Sequence, residues 1–241
     1  MQDAIVIIPT YNEIENIEAI IKAVFNLKKE FHILVVDDNS PDGTAEEVKR
    51  LQNSYQDRLF LTVRQEKSGL GTAYIHGFYW ALEKEYDYIF EMDADFSHNP
   101  NDLEKLYNAC HFDGADIAIG SRYVKGVNVV NWPLGRIILS YGASFYVRFI
   151  TGMRIKDATA GFVCYKRRVL ETLDLEDIKF VGYAFQIEMK FKAYLKRFKI
   201  VEIPVIFVDR TKGESKLSSS IISEAIFGVI TMKIKSIFNK K

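Results

Sequence analysis

Hydrophobic and polar positions form regular blocks along the first half of the chain. Short apolar runs of strand length alternate with longer segments in which apolar residues recur at helical spacing. The predicted strands cover residues 4–8, 32–38, 59–63, 88–92 and 117–119. Strands and helices in alternation predict an α/β fold with a mostly parallel, doubly wound sheet.

Longer helices replace this pattern after Tyr123. A strand predicted over 201–208 contains Pro204, which cannot donate a ladder hydrogen bond, so we expect this strand at a sheet edge. We expect one large domain over residues 1–217 and a C-terminal amphipathic helix within 218–241. The predicted helices of this half cover 134–150, 184–198 and 218–238.

The composition argues against nucleic-acid binding and against a metal site at the cysteines. Lys and Arg together number 32, as do Asp and Glu, so the formal net charge is zero. A neutral chain has no global positive field to attract nucleic acid, and we expect none as a partner. Cys110 and Cys164 lack metal-ligand spacing, so we expect buried thiols in a reducing compartment.

The apolar segments are too short or too interrupted to predict a membrane span. The N-terminal apolar stretch covers only residues 4–8 and follows no basic region, so we expect no secretory signal. Glu224 and Lys233 interrupt the apolar C-terminal segment. We therefore expect a cytoplasmic protein that is soluble or bound to a membrane surface.

Polar clusters follow the predicted strands, at the ends where each strand stops. Ligands of doubly wound sheets bind beyond the carboxyl ends of the strands, so these clusters predict one shared site. The clusters are residues 9–13, Asp37 with Asp38, residues 67–71, Asp93 with Asp95, and Ser121 with Arg122.

The segment from Asp93 to Asp95 is the strongest candidate for metal chemistry. Two carboxylates at positions i and i+2 of an extended chain point the same way and repel each other. A divalent cation with oxygen ligands would compensate that repulsion and would hold a diphosphate. Ala94 leaves room for a ligand near the backbone. The alternative is a pair of solvated carboxylates that cap the helix after Pro100.

Two further clusters have both a functional and a structural interpretation. Asp37 and Asp38 can bind a base or a ribose hydroxyl, or Asp38 can support the following turn. Lys67, Gly69 and Gly71 can bring a cation and backbone N–H groups near a phosphate, but a plain turn explains these glycines equally well.

Seven stretches of the chain together resemble the family 2 glycosyltransferases of the GT-A fold. Within that family they are similar to the dolichyl-phosphate, or polyprenyl-phosphate, mannosyltransferases. The resemblance implies a GT-A nucleotide-diphospho-sugar transferase fold with a catalytic domain over 1–217. The matching stretches are IPTYNE (8–13), VVDDNSPDGT (35–44), GLGTAYIHG (69–77), MDADFSHNP (92–100), GSRY (120–123), GYAFQIEM (182–189) and FVDRTKGESKL (207–217).

The resemblance implies roles for the site residues. Asp93 and Asp95 would hold the metal and the donor phosphates, Arg122 and Arg136 would hold the acceptor phosphate, and a loop from Arg210 to Lys216 would close over the donor. Many members have glutamine where this chain has Ser97, which makes a hydroxyl an uncertain ligand. The residues that would bind the donor are Pro9, Tyr11, Glu13, Asp37, Asp38, Lys67, Gly69, Gly71, Asp93, Ala94, Asp95, Arg210 and Lys216.

The implied reaction is inverting transfer of mannose from GDP-mannose to a polyprenyl phosphate, with Mg²⁺ or Mn²⁺ as cofactor. The implied setting is the cytoplasmic face of a membrane, to which the protein binds peripherally, and some relatives use a small membrane subunit. Three alternatives stay open: another donor such as UDP-glucose or a saccharide acceptor, a sugar nucleotidyltransferase, and a non-catalytic sugar-nucleotide sensor.

Three groups of side chains keep two interpretations each. The apolar side chains of the helix over 134–150 can pack in the core, or they can form a surface for a prenyl chain. The C-terminal helix can pack inward or lie in a bilayer interface. Gln186 and Glu188 can lie near the donor sugar or can serve capping and solvation.

Overall fold

The computed structural model describes residues 3–209 and 219–238 of the chain. Within these residues the elements alternate as the sequence predicts. In chain order they are β1 Ala4–Thr10, α1 Ile17–Phe25, β2 His32–Asp37, α2 Thr44–Gln52, β3 Leu59–Val63, α3 Leu70–Glu83, β4 Tyr88–Glu91, α4 Leu103–His111, β5 Ile117–Ser121, β6 Val129–Val130, α5 Leu134–Thr151, β7 Val163–Lys166, α6 Arg167–Thr172, α7 Tyr183–Leu195, β8 Ile200–Pro204, β9 Phe207–Val208 and α8 Ser219–Phe238.

The main sheet has seven strands in the order β3-β2-β1-β4-β7-β5-β8. All neighbouring pairs are parallel except those of β7, which runs antiparallel to both β4 and β5. The mostly parallel sheet is therefore confirmed. β8 is the last strand in the order, as Pro204 predicts, but the strand predicted over 201–208 is divided after Pro204 into β8 and β9. A second, two-stranded sheet pairs β6 with β9 in parallel.

Apolar side chains on both faces of the sheet build two cores. Along β1 the side chains alternate between them, with Ile5 and Ile7 in one core and Val6 and Ile8 in the other. Helices α1, α2 and α4 cover one face, while α3 and α7 cover the other with parts of α5 and α8. Burial on both faces explains why the strands read as continuous apolar runs.

The sequence pattern missed β7 and the short elements β6 and α6. Strand β7 is only four residues long, from Val163 to Lys166. It follows the irregular segment 152–162 rather than a helix. The apolar run from Phe162 to Tyr165 is a local strand signal, but it is shorter than most of the predicted strands and lies outside the regular alternation of the first half. The strand is nevertheless central, because it joins β4 to β5 in the sheet.

Helix α5 exposes much of its apolar surface. Leu134 is 70% exposed, Ile138 63%, Phe145 60% and Phe149 78%. The core interpretation is therefore wrong for these four side chains, whereas Ile150 packs against the core as that interpretation expects. Val147, by contrast, is buried and anchors the opposite side of the helix.

Helix α8 packs against α5 and α7. The Tyr146 hydroxyl donates to the Ile226 carbonyl at 2.8 Å, and Lys233 Nζ donates to the Thr151 carbonyl at 3.1 Å. Val229 is buried, while Phe227 is 70% exposed. Among the described residues, no helix has the length and apolarity that crossing a membrane requires.

Candidate active site

The first two strands end in turns that are bonded to each other. The Thr10 hydroxyl donates to Asp37 Oδ2 at 2.7 Å. One turn further, the Asn12 N–H donates to the Ser40 hydroxyl and the Glu13 N–H donates to the Thr44 hydroxyl, both at 3.0 Å. The structure therefore brings residues 9–13 against residues 37–44, along the carboxyl edge of the sheet.

Asp37 and Asp38 have different surroundings. Asp37 is fully buried and accepts bonds from the Ser40 N–H, the Ser40 hydroxyl and the Thr10 hydroxyl at 2.6–2.8 Å. Both oxygens of Asp37 hold the turn together, while its expected role in donor binding stays a prediction. Asp38 pairs with Arg64 at 2.6 Å, and burial raises the pKa of the Asp38 carboxyl although Arg64 opposes the shift.

Arg64 was missed by the sequence interpretation and links Asp38 to the glycine loop, residues 67–71. Besides the ion pair, its guanidinium donates to the Thr72 hydroxyl at 2.8 Å and to the Gly69 carbonyl at 3.4 Å. Lys67 Nζ lies 4.3 Å from the centre of the Tyr11 ring. Arg64 directly follows β3, so the rule on strand ends would have found it.

The two loop glycines are required by packing against the start of α7. Gly69 has a φ of +102°, which favours glycine, and a Cβ there would lie 3.1 Å from Val181. A Cβ on Gly71 would lie 2.8 Å from the Phe185 ring. The Gly71 N–H donates to the Val181 carbonyl at 2.8 Å, so this amide is not directed at a phosphate.

The acid loop, residues 93–98, directly follows β4. Asp93 and Asp95 are both half-buried, and Ala94 between them is buried. The Ser97 N–H donates to Asp95 Oδ1 at 3.0 Å. The described residues contain no group of three His, Cys, Asp or Glu side chains placed to hold a metal. Two partly exposed carboxylates nevertheless suit Mg²⁺ or Mn²⁺, which takes its other ligands from phosphates and water.

His98 fixes the shape of the acid loop. Its Nδ1 accepts a hydrogen bond from the Asp93 N–H at 3.2 Å, so that nitrogen is unprotonated. The ring stacks on Phe162 at 4.9 Å and meets Phe207 edge-on at 5.6 Å. Burial lowers the pKa of His98 to about 4, which keeps the imidazole neutral. His98 therefore orients the loop from the interior.

Arg122 extends from the end of β5 into a buried ion pair. Its Nε and Nη2 donate to the two oxygens of Asp157 at 2.7 and 2.6 Å, and its backbone N–H donates to the same carboxylate at 2.9 Å. Nη2 also donates to the Thr159 hydroxyl. Asp157 is fully buried and Arg122 is 8% exposed. Asp157 thus positions the guanidinium, a role that the sequence interpretation missed.

Arg136 meets Arg122 at a shared aromatic ring. The guanidinium carbon of Arg136 lies 4.1 Å from the centre of the Trp132 ring, and that of Arg122 lies 5.4 Å from it. Arg136 also donates to Asp209 at 2.7 Å. We call Arg122, Arg136, Trp132 and Asp157 the arginine cluster.

Phe207 joins the arginine cluster to the acid loop. Its ring lies 5.3 Å from Trp132 and 5.6 Å from His98, and the Arg122 guanidinium lies 5.5 Å from it. The structure therefore brings the two arginines and the acid pair to one region. Arg210 and Lys216, the remaining predicted site residues, lie outside the described residues.

A buried polar network lies behind the acid loop. Gln186 Nε2 donates to Glu91 at 2.8 Å, and Lys190 Nζ donates to the Gln186 side chain at 3.2 Å and to the Ala160 carbonyl at 2.6 Å. Burial lowers the pKa of Lys190 to about 8. Glu188 accepts the backbone N–H groups of residues 179 and 180. Glu188 is buried and holds the loop before α7 rather than capping the helix, which has no side-chain cap, and Gln186 bridges α7 to β4.

Most of the chain matches a known protein family. A model described as Glycosyl transferase family 2 matches residues 5–174, which contain the acid loop, Arg122 and Arg136. The match covers more than half of the chain. The chain belongs to glycosyl transferase family 2.

Two relatives in this family match almost the whole chain. A polyprenol monophosphomannose synthase of Mycolicibacterium smegmatis is 47% identical over 234 residues, which are 97% of this chain and 88% of the relative. An undecaprenyl-phosphate mannosyltransferase of Micrococcus luteus is 43% identical over 92% of this chain and 90% of the relative.

Solved structures of similar fold are glycosyltransferases as well. A glucosyl-3-phosphoglycerate synthase of Mycobacterium tuberculosis, in complex with Mn²⁺ and UDP, has a TM-score of 0.68 at 16% identity and covers 98% of this chain and 80% of its own. A mannosyltransferase of Pyrobaculum calidifontis, in complex with GDP-Man and Mn²⁺, has a TM-score of 0.59 at 16% identity, with 98% and 74% covered. The GT-A fold expected for a family 2 glycosyltransferase is confirmed.

Proposed function

We propose that this family 2 glycosyltransferase moves mannose from GDP-mannose to the phosphate of a polyprenol and releases GDP. The names of the two relatives at 43% identity or more support the sugar and the acceptor. The observation that carries the proposal is the position of the arginine cluster beside the acid loop, joined by Phe207. An enzyme that transfers a sugar from one phosphate-bearing substrate to another needs two neighbouring phosphate sites.

The donor half of the proposed site is the edge formed by β1, β2 and β4. Asp93 and Asp95 would hold Mg²⁺ or Mn²⁺, which would offset the charge of the departing diphosphate. The exposure of both carboxylates and their oxygen-only chemistry support this assignment. Tyr11 and Lys67, which contact each other, and Asp38 would line the nucleotide pocket.

The acceptor half is the arginine cluster. A guanidinium group can donate two parallel hydrogen bonds to two oxygens of one phosphate. Asp157 holds the guanidinium of Arg122 in place, and the Trp132 ring contacts that of Arg136. A phosphate monoester is already ionised near neutral pH, so its oxygen needs no strong general base. Orientation and charge stabilisation would therefore supply most of the rate, and a single displacement would invert the anomeric centre.

A lipid acceptor requires contact with a membrane. The exposed apolar side chains of α5 support peripheral binding, and α5 itself carries Arg136. We propose that the protein lies at the cytoplasmic face, with residues 1–217 as the catalytic domain and the C-terminal helix within 218–241 at the interface. The resemblance also allows a small membrane subunit as a partner.

The first test is the reaction itself. Labelled GDP-mannose, polyprenyl phosphate and either Mg²⁺ or Mn²⁺ should give label in the organic phase and free GDP. UDP-glucose and other nucleotide sugars complete the panel. Label that appears only with another donor or a saccharide acceptor would contradict the proposed substrates, and release of pyrophosphate would indicate a nucleotidyltransferase.

Asp95→Ala should lower turnover by at least about a hundredfold, because the residue is assigned to the charge on the leaving diphosphate. Asp113→Ala, which changes an exposed carboxylate distant in sequence from the acid loop, is the matched control. Near-normal turnover of Asp95→Ala across the metal panel would remove the metal assignment.

Arg136→Gln should raise the KM for polyprenyl phosphate by about tenfold or more, because one charged phosphate bond contributes about 1.5–3 kcal/mol. Binding of GDP-mannose should change little. Weaker donor binding with an unchanged acceptor KM would show that Arg136 belongs to the donor half instead. Arg197→Gln, an exposed arginine beyond α7, is the control.

A further inference from the structure

Basic residues are concentrated in one segment of this neutral chain. The forty residues from Ile117 to Lys156 contain six Arg or Lys residues and no Asp or Glu. Two of the six, Arg122 and Arg136, belong to the arginine cluster. Three others, Arg148, Arg154 and Lys156, lie near the end of α5 and have no part in the proposed reaction.

Local structure places these three side chains together. Arg148 is in the last turn of α5, which ends at Gly152 with a φ of +78°. In the extended segment that follows, Met153 and Ile155 are buried, so the alternate residues Arg154 and Lys156 are exposed on the other side.

The three cations line a cavity of about 410 Å³, which we call the basic cavity. Arg148 and Lys156 also line an adjoining cavity of about 310 Å³. Arg122, Arg136 and Trp132 line neither, so the basic cavity is separate from the arginine cluster. Its volume accommodates a phosphate group with several attached atoms.

The cations of the basic cavity do not form ion pairs with the nearest carboxylates. Within the described part of the chain, no ion pair involves Arg148, Arg154 or Lys156. The nearby carboxylate of Asp157 is bound to Arg122, while Glu202 accepts bonds from the Ser121 hydroxyl and two backbone N–H groups.

The side chain of Arg148, which lines the cavity, has one nitrogen without a partner in the described structure. Arg148 Nε is buried and makes no hydrogen bond in the described structure. Leaving such a group unsatisfied costs free energy, so an anion with several acceptor oxygens suits the cavity.

Exposed aromatic rings surround these cations and indicate where the anion comes from. Phe145 and Phe149, which also line the cavity, are 60% and 78% exposed on the apolar surface of α5. The Arg148 guanidinium lies 5.8 Å from the centre of the Phe145 ring. Cations beneath an apolar rim match the boundary of a bilayer, where headgroup phosphates lie next to acyl chains.

We propose that the basic cavity binds the phosphate of an anionic membrane phospholipid, at a site distinct from the acceptor phosphate. The proposal rests on the membrane association in the proposed function, but it does not depend on the sugar or the acceptor. Binding of a bulk lipid here would hold α5 at the bilayer while the arginine cluster engages the acceptor.

The test is sedimentation with vesicles in the absence of donor, acceptor and metal. The vesicles are neutral phosphatidylcholine alone, or phosphatidylcholine mixed with phosphatidylglycerol. Each cation near an anionic surface contributes about a fivefold factor, so the triple variant Arg148→Gln, Arg154→Gln, Lys156→Gln should bind the mixed vesicles about a hundredfold more weakly. Binding to neutral vesicles should change little.

A matched triple variant removes three exposed cations from the opposite face of the sheet: Lys28→Gln, Lys49→Gln and Lys105→Gln. It should bind both kinds of vesicle like the unchanged protein. Equal losses in the two triple variants would mean that overall charge alone sets the binding, and would overturn the site. Thermal melting checks that both variants fold.

Addition of inorganic phosphate at matched ionic strength distinguishes a lipid headgroup from a free phosphate as the anion that the cavity binds. Retained binding to the mixed vesicles supports a lipid headgroup. Displacement by inorganic phosphate would assign the cavity to a free phosphate and overturn the lipid assignment. Because no step of this test involves sugar transfer, its result is independent of whether the proposed reaction occurs.

Discussion

The buried pair of Asp157 and Arg122 gives a prediction that separates folding from activity. In Asp157→Asn the side chain keeps its shape, but the guanidinium loses the carboxylate that accepts two of its bonds. The pair is shielded from water, because the Arg122 side chain is 10% exposed and the Asp157 side chain 0%. Removal of one partner of such a pair typically costs about 3–5 kcal/mol.

That loss is measurable by thermal melting or denaturant titration. For a protein of this size, about 1 kcal/mol shifts the melting temperature by about 2–4 °C, so Asp157→Asn should lower it by at least about 6 °C. Glu46→Gln provides the control, because Glu46 pairs with Lys49 at 3.9 Å on the exposed surface. Exposed pairs contribute about 0–1 kcal/mol.

A double variant tests whether the loss comes from an uncompensated charge. Asp157→Asn combined with Arg122→Met removes both charges but keeps an oxygen for the Arg122 backbone N–H, so the stability of the double variant should recover most of the difference. The double variant should fold and yet transfer no mannose, because Arg122 is assigned to the acceptor. If Asp157→Asn melts within about 1 °C of the unchanged protein, the burial of this pair is not what stabilises the site.

Two further predictions concern packing and pH. Gly71→Ala should destabilise the protein by about 1–3 kcal/mol, because its Cβ would lie 2.8 Å from an aromatic ring of α7. Gly142→Ala, whose Cβ would have no atom within 4 Å, should be neutral or stabilising. Equal denaturation midpoints for the two variants would contradict this reasoning. Burial lowers the pKa of His32 from 6.5, so its stabilising contribution is present above pH 6.5 and is lost as the pH falls. His32→Phe should therefore flatten the fall of stability below pH 6.5; a pH profile parallel to that of the unchanged protein would refute the assignment.

Local sequence spacing was sufficient to predict a strand where that strand is buried on both faces and is followed by a helix. The elements from β1 to β5 lie within a few residues of their predicted bounds, because apolar runs of that kind are unambiguous. In the same way, the polar residues at the strand ends predicted which residues lie at the carboxyl edge of the sheet. Tyr11, Asp38 and Asp93 all lie at the carboxyl edge of the sheet, as the alternation implies.

The remaining features depend on contacts between residues distant in the sequence. Asp157 is a single acid in an irregular segment, and only the fold brings it to Arg122, 35 residues earlier. Burial of Asp37 depends on Thr10 and Ser40, so sequence spacing could not separate it from Asp38. The exposure of Phe145 and Leu134 was not predictable either, because helical apolar spacing is the same for a buried face and for a membrane surface.

The central position of β7 also affects how the protein is made. On the ribosome, β4 and β5 leave the exit tunnel well before residues 163–166, which must insert between them. Until then β5 has neither neighbour, because β8 follows later still. A nascent chain of about 160 residues thus displays open strand edges that can pair with other chains. We expect such intermediates to depend on chaperones, and a product terminated before β7 to aggregate rather than form a smaller folded unit.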